Sequence, residues 1–107
     1  MSMRVAVIGA GAWGTALAMQ MRRASHEVRL WARDAALVEA INGGANTRYL
    51  PGVTIDADLG ATTDVVDALD RADCVLVVTP AQALRTVLSS IGRHIPEAAP
   101  MVLCAKG

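Results

Sequence analysis

The chain has 107 residues, of which 53% are hydrophobic and 19% charged. That is one domain's worth of material, with enough apolar surface for a packed core and too little charge for a disordered segment. Lys and Arg number 10, Asp and Glu number 10, and the formal net charge is zero, so the basic excess or stripe of a general nucleic-acid binder is missing.

In chain order, the first element is the apolar run Arg4-Val5-Ala6-Val7-Ile8, which stops at Gly9. A near-continuous apolar run of this length fits a parallel strand buried on both faces. It is too short to cross a membrane and no signal-peptide cleavage region follows it. The expectation is a soluble, cytoplasmic protein without stable membrane insertion. Gly9, Gly11 and Gly14 then form the pattern Gly-x-Gly-x-x-Gly. In a strand-turn-helix unit Gly9 permits a tight turn, Gly11 lets a phosphate approach the backbone, and Gly14 lets helix and strand pack closely. The helix N-terminus that follows offers free N–H groups to an anion. A dinucleotide pyrophosphate is the ligand this pattern suits; the plain alternative is a tight turn that binds nothing.

The spacing predicts a helix over 12–24, with Trp13, Leu17 and Met21 on one face and Arg22-Arg23 in a solvated last turn. His26 reads as a loop histidine rather than a ligand or catalyst. A second strand covers 28–32. Asp34 is a candidate N-cap for a short helix with Leu37, Val38 and Ile41 on its apolar face, ended by Gly43-Gly44. From Ala45 to Gly60 the sequence reads as irregular, with a turn at Pro51-Gly52; a connection this long is often functional. A short strand over 59–62 follows, then a helix through Val65, Val66, Ala68 and Leu69, capped by Thr62 or Thr63. Cys74-Val75-Leu76-Val77-Val78 is the clearest buried strand, stopped by Thr79-Pro80. Leu84, Val87, Leu88 and Ile91 lie at helical spacing, and Met101 to Ala105 form a last strand. Cys74 and Cys104 read as buried free thiols, with no partner at metal-ligand spacing; no metal is expected. The alternation of strands and helices implies an α/β, doubly wound parallel sheet of the Rossmann type with helices on both faces.

Two further groups of residues bear on a ligand. The second strand ends Leu30-Trp31-Ala32-Arg33-Asp34. A site selective for NAD carries an acid at this strand end for the ribose 2′-OH. Here Ala32 stands in its place and Arg33 follows. Arg33 can pair with a 2′-phosphate or lie on the adenine ring, so NADP is slightly favoured over NAD; the plain alternative is a solvated arginine at a strand end, and Asp34 keeps NAD in play if the boundary is off by about a residue or two. The other group is formed by the strand ends Val78-Thr79-Pro80 and Ala105-Lys106-Gly107. Ligands of open α/β sheets bind beyond such ends, and Lys106 there can hold a phosphate or polarise a carbonyl; taken by itself it reads equally as a surface lysine. Pro80 and Gln82 can line the channel, although Pro80 also reads as a helix N1 proline.

Taken together, Gly9-Ala10-Gly11-Ala12-Trp13-Gly14-Thr15-Ala16-Leu17-Ala18, Leu30-Trp31-Ala32-Arg33, Asn46-Thr47-Arg48-Tyr49-Leu50-Pro51-Gly52, Val78-Thr79-Pro80 and Ala105-Lys106-Gly107 resemble the bacterial-type NAD(P)-dependent glycerol-3-phosphate dehydrogenases along the whole chain. The resemblance implies that residues 1–107 are the dinucleotide-binding domain of an enzyme about three times as long, whose helical substrate domain is absent. It implies reversible hydride transfer between nicotinamide C4 and C2 of glycerol 3-phosphate or dihydroxyacetone phosphate, feeding phospholipid synthesis, in a homodimeric full-length protein. Gly9, Gly11, Ala12, Trp13 and Gly14 would hold the cofactor diphosphate, with Ala12 where relatives often have Ser. Arg33 and, more weakly, Tyr49 would serve the adenosine end. Lys106 would touch both cofactor and substrate, while the acid-base lysine lies beyond Gly107. Two other readings use the same fold: another two-domain hydroxyacid or sugar-acid dehydrogenase, and a non-catalytic nucleotide-sensing domain.

Overall fold

The computed structural model describes residues 2–56 and 58–104. Seven strands and four helices are present among them: β1 (Arg4–Ile8), α1 (Ala12–Arg23), β2 (Glu27–Trp31), α2 (Ala35–Asn42), β3 (Ala45–Asn46), β4 (Leu50–Thr54), β5 (Gly60–Thr62), α3 (Val65–Leu69), β6 (Cys74–Val77), α4 (Leu84–Ile91) and β7 (Met101–Leu103). Five strands form one sheet in the order β5-β2-β1-β6-β7, and every neighbouring pair in it is parallel. This is the expected doubly wound order. The chain moves outward from β1 to β2 and β5, then returns to lay β6 on the other side of β1. The strand order therefore reverses between β1 and β6.

Side-chain alternation explains why the central strands are apolar throughout. Val5 and Val7 of β1 pack on one face of the sheet with Ala18 of α1 and Leu37 and Ile41 of α2. Ala6 and Ile8 point the other way, into a second core with Leu69 of α3 and Val87 and Ile91 of α4. Successive strand residues face opposite sides, so a strand covered on both sides has no polar positions to spare. Full burial of each large aliphatic side chain such as Ile8, Leu30 or Ile91 contributes roughly 1.5–3 kcal/mol.

Several elements differ from the sequence expectation. Of the Trp13, Leu17 and Met21 face of α1, Met21 packs against the core and Trp13 does not. The buried residues of the helix are Gly14, Thr15 and Ala18, because small side chains let the helix axis approach the sheet closely, while Trp13 is 49% exposed. Nor is Arg22 simply solvated: it donates to the His26 carbonyl at 3.1 Å and reaches Asp58 at 3.3 Å. His26 is structural, accepting from the Met3 N–H through Nδ1 at 3.1 Å. The stretch after α2 is an antiparallel hairpin of β3 and β4, not irregular chain. Its turn is Thr47-Arg48-Tyr49, and Pro51-Gly52 lies inside β4. Asp64, not Thr62 or Thr63, caps α3 through the Val66 N–H at 3.0 Å; Thr62 Oγ1 instead accepts from the Asp64 N–H. Pro80 is not the first residue of α4, which begins at Leu84 after a single 3₁₀ turn over Ala81–Ala83. Cys74 and Cys104 are free but half-buried rather than buried. Burial pushes the Cys74 thiol above its ordinary value.

Candidate functional site

The reversal between β1 and β6 leaves a crevice past the strand ends, the place where ligands of open α/β sheets bind. A cleft of about 510 Å³ opens there. Gly9 donates to the Trp31 carbonyl at 2.9 Å, and Val78 donates to the Ile8 carbonyl at 2.8 Å, so the floor of the cleft is tied to three strands at once. Thr79 is buried against the same carbonyl, with its Oγ1 3.4 Å from it.

The three glycines are needed for different reasons, and the difference identifies what the cleft can hold. Gly9 has φ +119°, and a Cβ on it would sit 2.5 Å from the Val78 carbonyl oxygen. A Cβ on Gly14 would fall 1.9 Å from the Gly9 carbonyl oxygen. Both positions are glycine because the chain itself fills the space. Gly11 is another matter. Its φ of −69° and ψ of −173° suit any residue, and a Cβ there would meet no protein atom within 4 Å. Gly11 lines the cleft and is the N-cap of α1, with no side chain capping the helix and no acidic residue in its first turn. Open space beside uncapped N–H groups at a helix N-terminus fits an anionic group brought close to the backbone. The residues present therefore fit a dinucleotide diphosphate.

The cleft walls gather most of the residues singled out by the sequence. Gly9, Gly11, Ala12, Trp13, Gly14, Arg33, Tyr49 and Pro80 all line it, together with Trp31, Ala32, Asp34 and Arg48. Gln82 is exposed and is not on the wall. Lys106 lies outside the described residues. Arg33 is exposed and makes no hydrogen bond or ion pair among the described residues. Asp34, by contrast, is fully engaged. One carboxylate oxygen caps α2 through the Ala36 and Leu37 N–H groups at 2.9 and 3.4 Å, and the other meets Arg48 at 2.7 Å. The Arg48 guanidinium, followed by the α2 N–H groups, holds the Asp34 carboxyl below the usual carboxylate range.

Two residues of the site had no assigned role from sequence. Arg48 reaches the cleft from the hairpin turn, with its guanidinium carbon 5.9 Å from the centroid of the Tyr49 ring. Asn46 fixes that turn. It is fully buried, donates to the Ala10 carbonyl at 3.2 Å and to Thr15 Oγ1 at 2.9 Å, and accepts from the Tyr49 N–H at 3.2 Å. One amide thus joins the glycine turn, the first turn of α1 and the hairpin. The signal for Asn46 was a polar residue directly before the turn, at the end of β3; its burial is visible only once the hairpin folds back.

A doubly wound sheet, a glycine turn at its switch point and an anion-ready helix N-terminus beside it define a dinucleotide-binding domain of the Rossmann type. Comparison with known proteins narrows the class. The chain matches the family described as NAD-dependent glycerol-3-phosphate dehydrogenase N-terminus over residues 4–107, and it belongs to that family. It is 57% identical over 106 residues to a glycerol-3-phosphate dehydrogenase [NAD(P)+] of Mesorhizobium japonicum, an alignment covering 99% of this chain and 31% of that protein. With the corresponding enzyme of Rhodospirillum rubrum the identity is 55%, over 96% of this chain and 30% of the relative. Among solved structures, glycerol-3-phosphate dehydrogenase from Coxiella burnetii superposes with a TM-score of 0.91 at 32% identity, over 99% of this chain and 33% of that one. The yeast enzyme gives 0.86 at 28%, over 100% of this chain and 34% of its own. The chain spans about a third of the length of the relatives it matches. No described helix is long and apolar enough to cross a membrane.

Proposed function

We propose that this chain is the NAD(P)-binding domain of a cytoplasmic, homodimeric glycerol-3-phosphate dehydrogenase that interconverts sn-glycerol 3-phosphate and dihydroxyacetone phosphate and so supplies glycerophospholipid synthesis. Family membership over residues 4–107 is the observation that carries this reading. Bound cofactor would supply the hydride, from nicotinamide C4 to C2 of dihydroxyacetone phosphate, and accept it in the reverse direction.

The parts played by this chain's own residues are binding and placement. Gly11 leaves room for the diphosphate against the N–H groups of Ala12 and Trp13, on the turn that Gly9 and Gly14 shape. The Trp13 side chain, exposed on the cleft wall, covers the cofactor from one side. Arg33 and Tyr49 receive the adenosine end. Pro80 stands along the channel toward the nicotinamide. Lys106, which follows the last apolar run of the sequence, supplies a cation to substrate and cofactor. A helical domain beyond these residues brings the substrate pocket and the acid-base lysine, which converts the C2 carbonyl oxygen to a hydroxyl as hydride arrives.

The test is NADPH or NADH consumption at 340 nm by the full-length protein with dihydroxyacetone phosphate. Substrate-dependent oxidation is expected, while residues 1–107 alone bind cofactor weakly and turn nothing over. Activity only on a 2-oxo acid would move the protein to another dehydrogenase class. Cofactor binding by the full-length protein without any turnover, and unaffected by Lys106→Ala, would make it a nucleotide sensor.

A further inference from the structure

Arg48 meets Asp34 at 2.7 Å at the mouth of the cleft, and both line it with Arg33. The pair is half-exposed, with side-chain exposures of 51% and 43%. An ion pair in that setting contributes little to stability, so its position asks for another account. Asp34 follows Arg33 at the end of β2, next to where an acid selects the ribose 2′-OH and repels a 2′-phosphate. Its carboxylate carries a full charge at neutral pH, and the α2 cap keeps it in place. Alone, it would cancel Arg33. The hairpin inserted between α2 and β5 returns Arg48 to this spot, and Asn46 locks the turn that carries it.

We infer that Arg48 is a specificity-determining residue: by neutralising Asp34 it leaves Arg33 free to pair with a 2′-phosphate and so lets the cleft accept NADPH. The inference rests on the cofactor reading above. With Arg48 present the mouth of the cleft keeps a net positive charge. Without it Arg33 turns toward Asp34, the local charge falls to zero, and only the cofactor bearing the 2′-phosphate loses by the change. NADH carries a hydroxyl there, which a free Asp34 oxygen can accept from.

The experiment is fluorescence titration of the full-length protein with NADPH and with NADH, for wild type, Arg48→Gln and the double variant Arg48→Gln/Asp34→Asn. Asn retains the helix cap while removing the charge. In Arg48→Gln the Kd for NADPH should rise on the order of tenfold, with that for NADH unchanged or lower. The double variant should recover most of the NADPH affinity. Equal weakening for both cofactors would overturn the inference and leave Arg48 as a brace for the hairpin. Loss of NADPH affinity that Asp34→Asn does not recover would also overturn it, assigning Arg48 to direct phosphate contact. Wild-type protein that binds neither dinucleotide would remove the cofactor reading itself, a result distinct from a wild type that binds both with a preference Arg48→Gln does not move.

Discussion

At the scale of single residues, the glycines of the turn separate folding from binding. Gly14 is required by the chain. A methyl group 1.9 Å from the Gly9 carbonyl oxygen can be relieved only by moving backbone, because the opposing atom is itself backbone. Gly14→Ala should destabilise the domain by about 1–3 kcal/mol, read as a lower thermal midpoint with or without cofactor. Gly11→Ala meets nothing within 4 Å. Its cost to stability is confined to the loss of a good N-cap residue, at most about 1 kcal/mol. Its cost to binding is large, since the methyl group takes the space a phosphate needs. A titration showing normal cofactor affinity in Gly11→Ala would mean that the diphosphate does not lie on this turn. The glycine pattern was legible in the sequence; which glycine serves the ligand was not, because that depends on what stands opposite each Cβ. Arg48 was hidden for a similar reason. Nothing in Asn-Thr-Arg-Tyr says that the arginine will return to Asp34, fourteen residues back along the chain.

At the scale of elements, the long period-free stretch after α2 was the hardest to read, and it brings Arg48 and Tyr49 to the cleft wall. β3 is two residues long and β4 is largely exposed, so neither has a hydrophobic pattern to betray it. What holds the hairpin is tertiary: the Asn46 amide at one end, and at the other the Ile55 N–H on the Gly44 carbonyl, 2.8 Å, with the Ile55 side chain buried in the core. Conversely, β1, β6 and α4 were legible because burial on both faces, or on one helical face, dictates their residue types directly. α1 misled because its packing face is built on the small residues Gly14, Thr15 and Ala18, with Met19 and Met21 packed beside them, while Trp13 stays exposed. The hairpin's dependence on Asn46 gives a prediction. Asn46→Ala removes both donors and the acceptor for the Tyr49 N–H. Loss of such buried hydrogen bonds costs about 1–3 kcal/mol, and the turn at Thr47-Arg48-Tyr49 should become the first site of limited proteolysis. Cofactor affinity should fall with it, and saturating cofactor should slow the cleavage. Resistance of the variant to proteolysis at this turn would show that Asn46 does not hold it.

The Asp34 contacts add a pH dependence at the same scale. The folded carboxyl sits below its ordinary value because Arg48 and the α2 N–H groups favour its charged form. A group lowered on folding stabilises the fold fully above its unfolded value, near 3.8, and loses that contribution as pH falls through the folded value. The α2 cap and the Arg48 contact should therefore be constant from neutral pH down to mildly acid pH and fail only below the ordinary carboxylate range. NADPH preference over NADH should be flat with respect to Asp34 across pH 6–8. A transition in that preference centred within this interval and abolished by Asp34→Asn would contradict the arrangement.

At the scale of the whole molecule, stability is concentrated in the middle of the sheet, and the cleft is lined both by that region and by the weaker hairpin. β1 is hydrogen-bonded on both sides, to β2 and β6, and lies between two cores. β7 pairs only with β6 among the described strands, and Met101, Val102 and Leu103 remain 42–49% exposed. The hairpin forms its own two-stranded sheet. Amide exchange follows the free energy of local opening. In the chain of residues 1–107, Val5, Ala6, Val7 and Val75 should exchange last, near the global limit, while β4 and β7 should exchange orders of magnitude sooner. Cofactor that contacts both the glycine turn and the hairpin couples a stable region to a labile one. Adding NADPH should therefore slow exchange at Ala12, Trp13, Arg48 and Tyr49 as well as at the already slow core amides, since binding disfavours every opening that releases the cofactor. Protection confined to the glycine turn would place the adenosine end away from the hairpin, and with it would fall the role given to Tyr49.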